Sequence, residues 1–181
     1  MSVRCKLVIK NMSCQCCVKL VSRIFKDAGI NIHSIDLGEA EISYDPGLVS
    51  MEEISLLLAS DGFELIQDKE DQLVEQIKNA IINLVRYSTF NAMVRNSDYL
   101  VEKFNLSYQH ISTIFSKHEQ LTLEKFIIQQ KIEKVKELIR NGELNLSEIA
   151  FMMGYSSVQY LSTQFRAVTG LTVSEFKKEL E

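Results

Sequence analysis

Two stretches of this 181-residue chain, "SYQHISTIFSKHEQLT" (Ser107 to Thr122) and "SVQYLSTQFRAVTGLT" (Ser157 to Thr172), align without a gap at an offset of 50 residues. Seven positions are identical: Ser107/Ser157, Gln109/Gln159, Ser112/Ser162, Thr113/Thr163, Phe115/Phe165, Leu121/Leu171 and Thr122/Thr172. A repeat of this length is one supersecondary unit used twice, so whatever the first copy folds into, the second must fold into as well. Upstream, "SDYLVEKFNL" (Ser97 to Leu106) faces "SEIAFMMGYS" (Ser147 to Ser156), each a short apolar helix ending in a turn. Each copy therefore reads as helix, turn, helix.

The second copy carries the clearer punctuation. Asn145 stands three residues before Glu148 as in a capping box, Gly154 supplies a left-handed turn, and Ser157 caps the next helix. In that helix Leu161, Phe165 and Val168 are expected to face the core, which leaves Gln159, Ser162, Thr163 and Arg166 outward. The first copy places Ile111, Ile114 and Phe115 inward and Gln109, Ser112, Thr113 and Ser116 outward. Faces of Gln, Ser and Thr suit base edges, because Gln pairs with adenine N6 and N7 and the Thr methyl meets the thymine methyl. Between the copies, "LEKFIIQQKIEKVKELIR" (Leu123 to Arg140) reads as a helical rod of about 27 Å. Such a rod spaces two reading helices roughly one DNA turn, about 34 Å, apart.

With its "EIA" triplet, "GYSS" turn, "Y-L-S-x-x-F" helix and "TGLT-x-SEF" close, the segment "LSEIAFMMGYSSVQYLSTQFRAVTGLTVSEFKK" resembles the second half of an AraC/XylS-type DNA-binding domain. The resemblance extends over residues 71–181. It implies that Gln109, Ser112 and Thr113 in the first recognition helix, and Gln159, Ser162 and Thr163 in the second, face bases. Lys117 and Arg166 match phosphate-side positions. The double-stranded DNA partner must be met through local geometry, since the chain has a net charge of −4 and Ser97 to Glu181 holds 10 Lys/Arg against 11 Asp/Glu.

The first 70 residues have a different rhythm. "CKLVIKNM" reads as a strand, "CCVKLVSRIFKDAG" as an amphipathic helix with Val18, Val21, Ile24 and Phe25 inward, "INIHSIDLG" and "EAEISYD" as paired strands around Gly38, residues 50–60 as a helix and "FELIQ" as a last strand. The order βαββαβ predicts a ferredoxin-like sandwich. The fold class expected for the chain is thus α+β, a ferredoxin-like βαββαβ sandwich followed by an all-α domain with two helix-turn-helix motifs joined by a long helix. The helix "DQLVEQIKNAIINLVRYS" (Asp71 to Ser88) joins the halves, with Leu73, Ile77, Ile81, Leu84 and Val85 as one apolar stripe.

Three of the four cysteines, Cys14, Cys16 and Cys17, fall within "NMSCQCC". A Cys-x-x-Cys pair entering a helix brings two sulfurs onto one ion, and the free N–H groups and helix dipole favour thiolates. Soft thiolates take monovalent copper, or zinc and cadmium when further ligands arrive. Cys16 either points away, completes a third coordination position, or serves as a small hydrophobe; Cys5 in the first strand is read as core. "NMSCQCC", "EISYD" and "SDGFEL" make residues 1–68 resemble the heavy-metal-associated domains of copper chaperones. That resemblance implies Cys14 and Cys17 as metal ligands, Met12 beneath the loop and Phe63 beside it, with Asn11 where glycine is usual.

Other chemistry finds no constellation in the sequence. His33, His110 and His118 lack metal-ligand spacing, no Ser-His-Asp order or phosphate-binding glycine loop can be assembled, and the single proline, Pro46, sits in a "DPG" turn unlike that of a thiol reductase. No enzymatic activity is expected. Apolar runs such as "AIINLV" are far short of a membrane span, the start lacks a secretory h-region, and the expected location is the cytoplasm, where thiols stay reduced. The reading that follows is a sequence-specific DNA-binding transcription regulator whose N-terminal domain senses a soft metal or thiol state. The alternatives are a metal-handling or protein-docking module whose helical half is an interaction domain, and a DNA regulator whose first domain is a homodimer or partner platform.

Overall fold

The computed structural model describes residues 2–87 and 95–180 and divides the chain into two compact units, Met1–Asn79 and Ala80–Glu181. The first unit holds β1 (Val3–Lys10), α1 (Gln15–Asp27), β2 (Asn31–Asp36), β3 (Glu39–Tyr44), α2 (Met51–Ser60), β4 (Glu64–Ile66) and the first half of α3 (Lys69–Tyr87). The sheet runs β2-β3-β1-β4 with every neighbouring pair antiparallel. Register shifts between Ile32 and Ser34, where His33 is the extra residue of a bulge and its Nε2 lies 3.1 Å from Ser43 Oγ.

Three consecutive residues of β1, Leu7, Val8 and Ile9, are buried, which a strand can achieve only when both its faces are covered. Leu7 and Ile9 join Val21 and Phe25 of α1, Ile42 of β3 and Ile54 and Leu58 of α2 in one core. On the other face, Gln76 of α3 lines a cavity with Lys6 and Val8, and Asn79 lies directly against Gly38. α3 is buried almost all round from Val74 to Val85, the polar Glu75 and Asn79 included, so the single stripe expected of it is too narrow a description. Lys78 pairs with Glu75 at 3.0 Å within this buried stretch.

The second unit contains α4 (Asn96–Phe104), α5 (Tyr108–Glu119), α6 (Leu123–Asn141), α7 (Leu146–Met152), α8 (Val158–Thr169) and α9 (Val173–Lys178). Capping follows the repeat. Ser107 and Ser157 accept from His110 N and Tyr160 N, and Thr122 and Thr172 accept from Lys125 N and Glu175 N. The repeat also reaches further than its identities, since Phe115 packs on Phe126 at 5.3 Å and Phe165 on Phe176 at 5.5 Å, both pairs again 50 residues apart. The first turns differ: the left-handed residue is Asn105 in one copy and Gly154 in the other, one position out of step. Val168, expected inward, is 38% exposed, and Ile114 is only half-buried. The buried face of α5 and of α8 is narrowed to one turn, Ile111 with Phe115 and Leu161 with Phe165.

Candidate nucleic-acid interface and thiol loop

α5 and α8 are short helices whose caps fix where each begins, and their outward faces share Gln, Ser and Thr at equivalent positions while the basic residues Lys117 and Arg166 fall one position out of step. Gln109, Thr113 and Lys117 are exposed on α5, as are Gln159, Thr163 and Arg166 on α8, while Ser112 and Ser162 are half-buried at the edge of each face. Thr113 Oγ1 donates to Gln109 O at 2.8 Å and Thr163 Oγ1 donates to Gln159 O at 2.9 Å. The same back-bond in both copies occupies each hydroxyl proton within its helix, so each threonine offers its methyl and an oxygen acceptor rather than a donor. Tyr160, exposed between the two, accepts from Gln164 Nε2 at 2.9 Å and widens the α8 face with an aromatic ring.

α6 holds both motifs. Tyr108 at the start of α5 donates its hydroxyl to Glu124 Oε1 at 2.9 Å, and burial, then this carboxylate, push the phenol pKa up to about 12. Lys131 donates to Met153 O at 3.0 Å at the C-cap of α7, and its Nζ lies 5.5 Å from the Tyr155 ring centroid. Burial lowers the pKa of this lysine, while the helix end and the ring favour its cation. Arg140 stacks on Phe176 at 5.4 Å. These anchors were not legible beforehand, because a lysine among "IIQQKIEKV" looks like an ordinary solvated position.

In the first unit the thiol loop leads into α1. Asn11 takes φ +72, a left-handed conformation that asparagine tolerates better than most residues, and its Nδ2 donates to Gly62 O at 2.9 Å. Asn11 thus ties the loop to the turn before Phe63. Met12 and Phe63 lie in the core below. Cys14 is the N-cap of α1 without a side-chain cap bond of ordinary geometry, and its Sγ is 3.3 Å from Cys17 Sγ. The Cys17 N–H, then its thiol, hold the Cys14 pKa below the usual thiol value, with smaller help from the N–H and thiol of Cys16. Cys14 and Cys17 are half-buried and Cys16 is exposed; Cys5 is half-buried in β1, where burial raises its pKa. The paired soft sulfurs fit a soft ion, although no group of three or more metal-ligating side chains is assembled among the described residues.

Residues 100–179 match the family described as "Helix-turn-helix domain". The chain is 29% identical over 108 residues to the Msm operon regulatory protein of Streptococcus mutans, covering 60% of this chain and 37% of that protein. It is 28% identical over 71 residues to the transcriptional activator RhaS of Escherichia coli, covering 39% and 26%. The helices from within α4 to α9 are thus similar to a helix-turn-helix domain. The fold is similar to the C-terminal domain of AraT, a response regulator from Geobacillus stearothermophilus, with a TM-score of 0.51 at 20% identity over 62% of this chain and 88% of that one. This chain spans less than two fifths of the length of either curated relative. The thiol loop lies outside residues 100–179. Among the described residues, no helix is long and apolar enough to cross a membrane.

Proposed function

We propose that the chain is a sequence-specific transcription regulator that reads double-stranded DNA with α5 and α8 and receives a soft, thiol-seeking ion at Cys14 and Cys17. The observation that carries the DNA reading is the duplicated outward face: Gln109 and Gln159 one turn from Thr113 and Thr163, with the same cap and the same threonine back-bond in both copies. Lys117 and Arg166 sit at the phosphate-side positions of these helices. Relatives named as an operon regulator and a transcriptional activator support the same role. The ion reading rests on the resemblance to copper-binding loops, which names monovalent copper, and on the close sulfur pair. The exposed apolar side chains Leu48, Leu56 and Leu57 around α2 favour a second role for the first unit as a homodimer or partner platform.

Selection from a random duplex pool tests the reading. Gln159→Ala and Thr163→Ala should each lower base discrimination by roughly 1–3 kcal/mol. Thr163→Val should keep the part carried by the methyl and lose only what the oxygen accepts, because the hydroxyl proton is spent on Gln159 O. An unchanged preference in both alanine variants would show that α8 does not read bases.

A further inference from the structure

Charge along the first unit is sorted into two blocks. Residues 1–26 carry six Lys/Arg and no Asp/Glu, whereas Asp27 to Asp68 carry ten Asp/Glu and no Lys/Arg. In the sheet the blocks neutralise each other, since β1 lies beside β3 and β4, where Arg4 meets Glu41 at 2.9 Å and Lys10 meets Glu64 at 3.6 Å. The helices keep the division. On α1, Lys19, Arg23 and Lys26 recur at i, i+4 and i+7, all exposed, on the side opposite the buried Val21 and Phe25. The Arg23–Asp27 pair at 3.6 Å is exposed on both sides and neutralises little. On α2, the side opposite the buried Ile54 and Leu58 carries Glu52, Glu53 and Leu56, the leucine 71% exposed. Leu48 and Leu57 line one groove with it.

α1 and α2 are neighbours on one face of the sheet, both packed on the core that includes Val21, Phe25, Ile54 and Leu58. The layer they form sets a basic stripe beside an acidic, leucine-bearing one. A foreign partner of one sign meets repulsion on one of these stripes, whereas a second copy of this chain carries both complements side by side. A two-fold axis running between the helices places α1 of each copy on α2 of the other, which is the self-complementary contact that an isologous dimer needs. We infer that this helix layer is a homodimer surface, with α1 of each copy seated on α2 of the other. The stems of Lys19 and Arg23 then cover the exposed leucines while their charged ends meet Glu52 and Glu53. The inference rests on the platform role proposed for the first unit and names its occupant; the reading of DNA by α5 and α8 does not depend on it.

Sedimentation equilibrium of the full chain, kept reduced, tests this with two charge reversals and their mixture. The wild type should form a dimer that loosens as salt rises. Lys19→Glu with Arg23→Glu sets acid against acid. Glu52→Lys with Ala59→Lys, both exposed positions and seven residues apart on α2, sets base against base. Each double variant should dimerise at least about tenfold more weakly than the wild type. Mixed in equal amounts, the two should recover a dimer of near wild-type affinity, because both contacts of the mixed pair again join opposite charges. That recovery also shows that both variants fold. A wild type that stays monomeric overturns the inference, together with the homodimer half of the platform reading, and leaves a partner of another kind. A dimer left unweakened by either reversal, or weakened by both and not recovered on mixing, overturns the seating of α1 on α2 while the platform reading stands.

Discussion

Gly38 stands at φ +74 in the turn between β2 and β3, buried, with the carboxamide of Asn79 lying where a Cβ would be. Asn79 is 4% exposed and its Nδ2 has no hydrogen-bond partner, so this amide contributes by its shape rather than by a bond. An alanine at 38 meets two separate costs, the left-handed backbone and the overlap with Asn79. Together they should destabilise the protein by about 2–4 kcal/mol in urea unfolding. Adding Asn79→Ala should recover the part due to overlap and leave about 1–2 kcal/mol for the backbone. If the second change recovers nothing, the close fit of α3 on the turn is not what Gly38 provides. The sequence marked Gly38 as a turn residue, but an asparagine in a helix carries no sign that a distant glycine lies beneath it.

At the scale of elements, the parts that were legible are those whose signals are local. Asn145 with Glu148, Ser157 and Gly154 act within one turn of chain, and each holds the position read for it. What periodicity missed depends on contacts from afar: the burial of Glu75 and Asn79 in α3, the exposure of Val168, and the shortening of β4 to the three residues that pair with Val8 to Lys10. The cap of α9 offers a measurable local signal. Glu175 Oε2 accepts from Thr172 N at 2.7 Å while Thr172 Oγ1 accepts from Glu175 N at 3.2 Å, and the Thr172 N–H, then the Thr172 hydroxyl, lower the Glu175 pKa from its ordinary 4.5. A carboxylate depressed in the folded state stabilises fully above its ordinary pKa, and that contribution is lost as pH falls through the folded value. Carboxyl NMR titration should therefore find Glu175 below 4.5 in the wild type and shifted upward in Thr172→Ala. The same variant should lose about 1 kcal/mol of stability near neutral pH. A Glu175 titration that is identical in both proteins would mean the cap does not form in solution.

At the scale of the whole molecule, the proposed DNA recognition depends on one unit holding α5 and α8 at a fixed spacing. α6 has 19 residues and spans about 28 Å. It is tied to the first motif through Tyr108 and Glu124 and to the second through Lys131 at the end of α7 and Arg140 on Phe176. With anchors at both ends the rod can neither lengthen nor twist to follow a rearranged site. The near balance of charge from Ser97 to Glu181 leaves little non-specific attraction to compensate for a lost contact. The full chain should therefore bind an asymmetric site whose two elements lie about 10 base pairs apart. Inserting about half a turn of DNA places one element on the opposite side of the duplex, and gel-shift affinity at fixed salt should fall to the level of a single element. Inserting a full turn should not restore it, because the face is recovered but the distance is not. Undiminished binding to the half-turn site would show that α5 and α8 do not engage together, and recovery at a full turn would show that α6 does not fix their separation.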